Sequence, residues 1–301
     1  LVRHIVQIYD IFYKFAVTMW IWMTLGSALL LGIHDVFKKQ ALKQNGVLFV
    51  LLAATAMSSI FLSPVLSIGP WQDHLKLVFK GILVTTSWIA GLAALGKLPI
   101  TTASTIKASR PVIVVAFSLI LFGERLNLWQ WGGVIAVIVA LWLLSRSSKK
   151  EGIPFKANKG ITYMVISVLS GAASALYDKY IMAGMQPLFV QSWTNVYISA
   201  MLAACLLFKW LTDKENFQPF KWDWRLLVIA VFITAADMLY FFALKEEDAL
   251  LSVVSLLRRC SVVVTFVLGA IVFKEHKIKE KALDLGILLI GMALLLYGSS
   301  L

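Results

Sequence analysis

Two adjacent arginines, Arg258 and Arg259, stand inside SLLRRCSVVV (Ser255 to Val264), a run otherwise suited to hydrocarbon. Lys107 and Arg110 interrupt a second run of the same kind. A cation at the middle of a membrane helix costs at least ~2.5 kcal/mol on insertion scales, so each of the four needs compensation. One mid-span acid, Asp237, is available, with Asp35 and Asp178 near the ends of their own runs. That leaves positive charge over, and the pattern points to at least two of the cations contacting an anionic ligand. A planar guanidinium suits carboxylate or phosphate. Side chains of neighbouring helical residues point about 100° apart, so one of Arg258 and Arg259 can hold ligand while the other holds Asp237. Arg110 is the weakest of the four, able to snorkel or to pair locally.

Other residues could join them. Ser104, Ser255, Trp88, Tyr240, Gln191, Asn195 and Trp193 could line a cavity, although aromatic and amide residues in spans more often make helix contacts. His34 and Asp35 with Lys38 and Lys39, and Asp178 with Lys179, close two runs. They read either as a gate or proton-coupling set or as interfacial charges reaching water. Glu124 and Glu275, at run ends, suit the tying of a turn better than the binding of cargo. Cys205 and Cys260 lie inside apolar runs as small buried side chains. The chain has no metal-ligand cluster, Walker A, HExxH or GxSxG motif, so neither a cofactor nor an enzyme is expected.

The elements that must carry these charges follow from composition. A chain of 301 residues that is 60% hydrophobic and 15% charged, with mean hydropathy +0.83, holds more apolar surface than one water-soluble globule can bury. Ten apolar runs approach the length needed to cross ~30 Å of hydrocarbon. They are Val17 to Phe37, Val47 to Ile68, Gly81 to Leu95, Ile100 to Leu121, Leu128 to Leu144, Ile161 to Tyr177, Leu188 to Leu211, Leu226 to Leu244, Ala249 to Phe273 and Ala282 to Tyr297. Alternating ten-residue patterns are absent, so the fold class is all-α integral membrane protein. Residues 1–18 carry Asp10 and Lys14 between apolar residues and read as an extension or an interfacial segment. The net charge of +12 sits between apolar runs, where headgroups and topology explain it better than nucleic acid.

The runs repeat. KASRPVIVVAFSLILFGERL begins at Lys107 and RRCSVVVTFVLGAIVFKEHK at Arg258; Lys107 precedes Glu124 by 17 residues, as Arg258 precedes Glu275. Ser104 and Ser255 match at the same offset of 151, and Gly133 and Gly286 open matching stretches downstream. Two five-helix repeats, 19–145 and 161–301, join at a polar linker, 146–160. Five crossings are odd in number, so the second repeat enters the membrane from the opposite side, an inverted-topology repeat. Lys107 and Arg258 then sit ~10 to 14 Å from a helix end, near mid-depth, and face one another across the pseudo-two-fold axis. Pro111 is expected inside the fourth helix, freeing the carbonyl of Lys107.

These paired endings, with the first-span phrases LLLGIHDVFKKQAL and SGAASALYDKYIM, resemble the EamA-type, ten-helix members of the drug/metabolite transporter superfamily. The resemblance implies inverted five-helix halves around a central cavity, and secondary transport by alternating access. Val262 in place of Pro111 and His276 in place of Arg125 are departures in the second copy. A narrower resemblance, of Lys107 and the Arg258, Arg259 pair to basic positions in the triose-phosphate and nucleotide-sugar branches, implies a phosphate-bearing cargo. The expectation is a carrier of a small organophosphate or carboxylate in the inner (cytoplasmic) membrane, as monomer or homodimer, with lipid and cargo as its partners. An exporter of amino acids or amphipathic compounds, and a carrier of an anionic polyprenyl-phosphate-type lipid, are the alternatives. By loop parity, the side of the N-terminus carries Arg3, Lys14, Lys76, Lys80, Arg125, Lys179 and Lys245, against seventeen basic residues on the other. The positive-inside rule favours an external N-terminus, opposite to the usual arrangement of this architecture.

Overall fold

Inside hydrocarbon every backbone N–H and C=O must find a partner within the protein, and apolar segments solve this by coiling into helices. The computed structural model describes residues 19–42, 44–95, 97, 106, 109–147, 159–214, 220–261, 263–265, 267–268 and 278–299, and no strand occurs among them. Ten helices are described: α1 (Met19–Ala41), α2 (Val47–Phe61), α3 (Trp71–Leu95), α4 (Arg110–Leu121), α5 (Leu128–Ser147), α6 (Lys159–Met182), α7 (Pro187–Thr212), α8 (Arg225–Lys245), α9 (Leu251–Arg258) and α10 (Ile278–Ser299). Five of them, α1, α3, α6, α7 and α8, are long and apolar enough to cross a membrane on length and composition alone.

Local chemistry sets the boundaries. Asn127 and Gln130 cap α5 reciprocally, the Gln130 N–H donating to Asn127 Oδ1 at 2.9 Å and the Asn127 N–H to Gln130 Oε1 at 3.0 Å. Pro187 opens α7 in the first turn, where a missing N–H costs nothing. Pro111 takes the equivalent place in α4, which is described from Arg110, so it stands in a first turn and not in a helix interior. The Lys107 carbonyl it was expected to free lies outside the described residues. The largest correction concerns α3, which starts at Trp71 and not at Gly81. Asp73, His74, Lys76 and Lys80 depress the hydropathy of those ten residues, yet a helix accommodates them because all four find partners. Lys76 Nζ lies 2.9 Å from Asp73 Oδ1, His74 Nδ1 lies 2.9 Å from the Tyr197 hydroxyl, and Lys80 is bonded deeper in.

The strongest helix pairings are preserved when the first five helices are exchanged with the last five. α1 packs on α8 as α6 packs on α3; α2 packs on α8 as α7 on α3; α1 packs on α9 as α6 on α4. Three pairs, α2 with α7, α4 with α9 and α5 with α10, map onto themselves. The relation reaches single atoms. The Ser27 hydroxyl donates to the Ala236 carbonyl at 2.7 Å, and the Ser167 hydroxyl to the Ser87 carbonyl at 2.6 Å. Ser27 and Ser167 are 140 residues apart, the offset that also relates Lys39 to Lys179. With five crossings in each half, this two-fold lies in the membrane plane, and the fold is a pair of inverted repeats. Small residues let the paired helices close: Gly133 and Gly291 stand where α5 meets α10, each leaving no room for a Cβ.

Candidate functional site

Between the halves lies a cavity of about 320 Å³ to which seven helices and the turn after α9 contribute. α9 ends in the turn at Arg259 and Cys260, and Arg259 still lines the cavity. Thus Ser255, Arg258, Arg259 and Ser261 all line the cavity, beside Lys80 and Trp88 from α3, Arg110 from α4 and Asp178 from α6. Asp237 and Tyr240 from α8, Gln191 and Asn195 from α7, and Asp35 from α1 complete its polar wall.

Two acid–base pairs span this chamber. Lys80 and Asp178 form an ion pair whose side chains are 4% and 7% exposed, joining α3 of one half to α6 of the other. The Tyr240 hydroxyl donates to the second Asp178 oxygen at 3.2 Å, and Lys80 Nζ stands 4.8 Å from the Phe241 ring centre. Arg258 pairs with Asp237. Its Nε donates to the Ser27 hydroxyl at 3.1 Å, and its Cζ lies 4.1 Å from the Tyr240 ring centre, a cation–π distance. Tyr240 is therefore the joint of a continuous chain running Asp237, Arg258, Tyr240, Asp178, Lys80.

The two remaining arginines differ in kind. Arg110 donates to the carbonyl of Gly171, and Gly171 allows that approach because a Cβ there would stand 2.5 Å from the guanidinium carbon. A carbonyl dipole orients this charge without cancelling it. The Arg259 guanidinium makes no hydrogen bond or ion pair with the described residues. Asp35, Asp178 and Asp237 line the chamber with it. The adjacent arginines thus divide the work along the chain, Arg258 holding Asp237 and Arg259 presenting its donors to the chamber.

Other sequence candidates fall elsewhere. Trp193 does not line the cavity; its indole N–H donates to the Ser67 carbonyl at 2.9 Å. His34 is buried behind the wall with Nδ1 3.1 Å from Asp35 Oδ1. Lys38 and Lys39 occupy the end of α1, and Lys38 is outside the lining. Lys179 points away from the chamber, donating to the Ala249 carbonyl at 2.6 Å. Gln191 Nε2 donates to the Thr234 carbonyl and Asn195 Nδ2 to the Ser58 hydroxyl, both at 2.7 Å, so these amides also fix α7 against α8 and α2. Ser104 and Lys107, like Glu275, lie outside the described residues. Sequence inspection missed Lys80, set aside as a loop cation. The signal that could have found it is its position one turn before Val84 and two before Trp88, on one face of an otherwise apolar helix.

A second hollow, lined by α3, α6 and α7 residues such as Ile89, Ile166 and Met201, is apolar and contains none of these charged groups.

A family model for EamA-like transporters matches residues 18–146 and again 158–297, one match to each half. The chain belongs to the EamA-like transporter family. As an EamA-like transporter it is a multi-pass membrane protein, and the chamber lies between its two halves. A solved structure described only as the crystal structure of a protein superposes with a TM-score of 0.71 at 16% identity, covering 92% of this chain and 96% of that one, which bears on the fold alone. No curated protein matches the chain.

Proposed function

We propose that this EamA-like transporter is a secondary carrier of a small anionic metabolite, an organophosphate or a carboxylate, working by alternating access in the inner (cytoplasmic) membrane. One observation carries the reading. Of the chamber's cations, Arg259 has neither acid nor carbonyl bonded to it among the described residues, and Arg110 is held by a carbonyl alone. A guanidinium left so in a low-dielectric chamber is stabilised by an anion that enters with its own donors and acceptors matched. The likeness of the basic pair to that of the triose-phosphate branch agrees with phosphate. A chamber of about 320 Å³ suits a metabolite of a few carbon atoms.

The acids in the wall support a second reading, cargo that is zwitterionic. Asp35, Asp178 and Asp237 line the same chamber as Arg259, so its wall carries both signs of charge that a zwitterion presents. A polyprenyl-phosphate lipid draws less support, because the apolar hollow beside α3, α6 and α7 has no cation to meet a headgroup.

Thermal unfolding of the purified protein, screened against organophosphates, carboxylates, amino acids and cationic drugs, tests the reading. Ligand at a hundredfold excess over its Kd stabilises by about 2.7 kcal/mol, enough to raise the midpoint measurably. Organophosphates or simple carboxylates should do this in the native protein and fail to do it in Arg259→Gln. Stabilisation by amino acids alone selects the zwitterion, and stabilisation only by cations or neutral aromatics overturns the anion.

A further inference from the structure

Where α4 ends, Gly123 adopts φ +62°, a left-handed conformation that favours glycine, and the chain turns so that Glu124 reaches across to the other half. There its carboxylate accepts three hydrogen bonds from the first turn of α9: the Leu251 N–H at 2.5 Å, the Ser252 N–H at 3.1 Å and the Ser252 hydroxyl at 2.5 Å. Leu251 and Ser252 are fully buried, so the carboxylate is their partner in place of water.

Position makes this more than a cap. α4 and α9 pack on each other, one from each half, and both carry cavity arginines. Glu124 joins them at the face of the molecule that bears the α2–α3, α4–α5, α6–α7 and α8–α9 connections, termed here the α4–α5 face. Burial within the chamber follows the same axis. Asp178, four residues from the α6 end on that face, is 7% exposed with Lys80 beside it at 4%, whereas Asp35, toward the opposite face, is 48% exposed. The chamber is shut at the α4–α5 face. For cargo to pass there, the end of α4 and the start of α9 must separate, and the contact that resists is Glu124 on Ser252.

We propose that Glu124 is the latch of the α4–α5 face: its grip on the first turn of α9 holds this access state, and its release lets the chamber open to that side. The latch acts through α9 and touches no cargo.

The test needs no cargo, so it stands or falls separately from the sign of the cargo's charge. Cys205→Ala and Cys260→Ala remove the native thiols, and Ser255→Cys places a reporter in the chamber one turn beyond the latch. In proteoliposomes of known orientation, a membrane-impermeant methanethiosulfonate reagent is supplied to one face at a time. Glu124→Ala should raise the modification rate from the α4–α5 face by at least about tenfold, the factor that one lost charge-assisted hydrogen bond gives, and lower it from the opposite face. Ser252→Ala should act in the same direction by less, and Glu124→Asp should restore most of the native pattern. If Glu124→Ala fails to fold, Ser252→Ala and Gly123→Ala carry the same readout. Unchanged rates from both faces with a lowered unfolding midpoint would overturn the proposal and leave Glu124 a helix cap.

Discussion

At the scale of single residues, the informative pair is Lys80 and Asp178, because it is the most deeply buried ion pair among the described residues. Taking two charges out of water costs several kcal/mol per ion, and their attraction with the Tyr240 hydrogen bond offsets that only while both are present. Lys80→Met strands a carboxylate, and Asp178→Leu strands an ammonium. Each alone should destabilise by about 3 to 5 kcal/mol, and the double variant should recover most of the loss. Thermal unfolding of the four proteins in one detergent measures this as a double-mutant cycle. If the double variant is as unstable as the sum of the singles, the pair is not coupled. Arg110 and Gly171 show the complementary logic: a charge kept in the chamber by a carbonyl can be used by a ligand, whereas one neutralised by an acid cannot be used without releasing that acid.

At the scale of helices, small residues decide how closely the halves approach. A Cβ built on Gly133 would stand 2.6 Å from Leu295 Cγ, 2.8 Å from the Gly291 carbonyl oxygen and 2.9 Å from the Leu295 nitrogen. Two of those three atoms are backbone, which cannot rotate away. Gly133→Val should therefore push α5 from α10 at a cost of about 1 to 3 kcal/mol or more, read as a lower unfolding midpoint. The same substitution at Gly184, where nothing lies within 4 Å, should leave the midpoint nearly unchanged, and equal losses at both positions would refute the packing argument. Helix count, order and inverted repetition were legible in the sequence, because apolar run length and the 151-residue offset report them directly. The division of labour between Arg258 and Arg259 was legible as an alternative and not as an assignment, since an angle between neighbours does not say which one meets Asp237. Lys80 was legible only through its spacing to Val84 and Trp88, which hydropathy overrode. Hydropathy cut α3 short at the charged turns that burial and pairing later justify. Symmetry gave no help, because at the 149-residue offset relating Ser87 to Ala236 the counterpart of Lys80 is Ile229. A charge present in one half only escapes any search for repeats.

At the scale of the whole molecule, the question is which way the chamber faces, and the corrected start of α3 sharpens the sequence argument. Lys80 lies within the bundle and no longer counts as a loop cation of the α4–α5 face. Lys179 and Lys245 on that side are also engaged by carbonyls, of Ala249 at 2.6 Å and Met182 at 3.0 Å. By chain order the other side carries seventeen basic residues in the sequence, and of these Lys209, Lys214, Lys221 and Arg225 are described around the α7–α8 connection. Basic residues within short loops are retained on the cytoplasmic side, so the α4–α5 face should be external and the half-exposed end of the chamber, with Asp35, should face the cytoplasm. A single cysteine at Ser63, in the α2–α3 connection, or at Lys221 distinguishes the two orientations in intact cells. An impermeant maleimide should label Ser63→Cys without lysis and Lys221→Cys only after it. The reverse pattern would place the basic face outside and make the latched side cytoplasmic. If the expected pattern holds, cargo enters the described state from within the cell, and the Glu124 latch is the barrier it must pass on the way out.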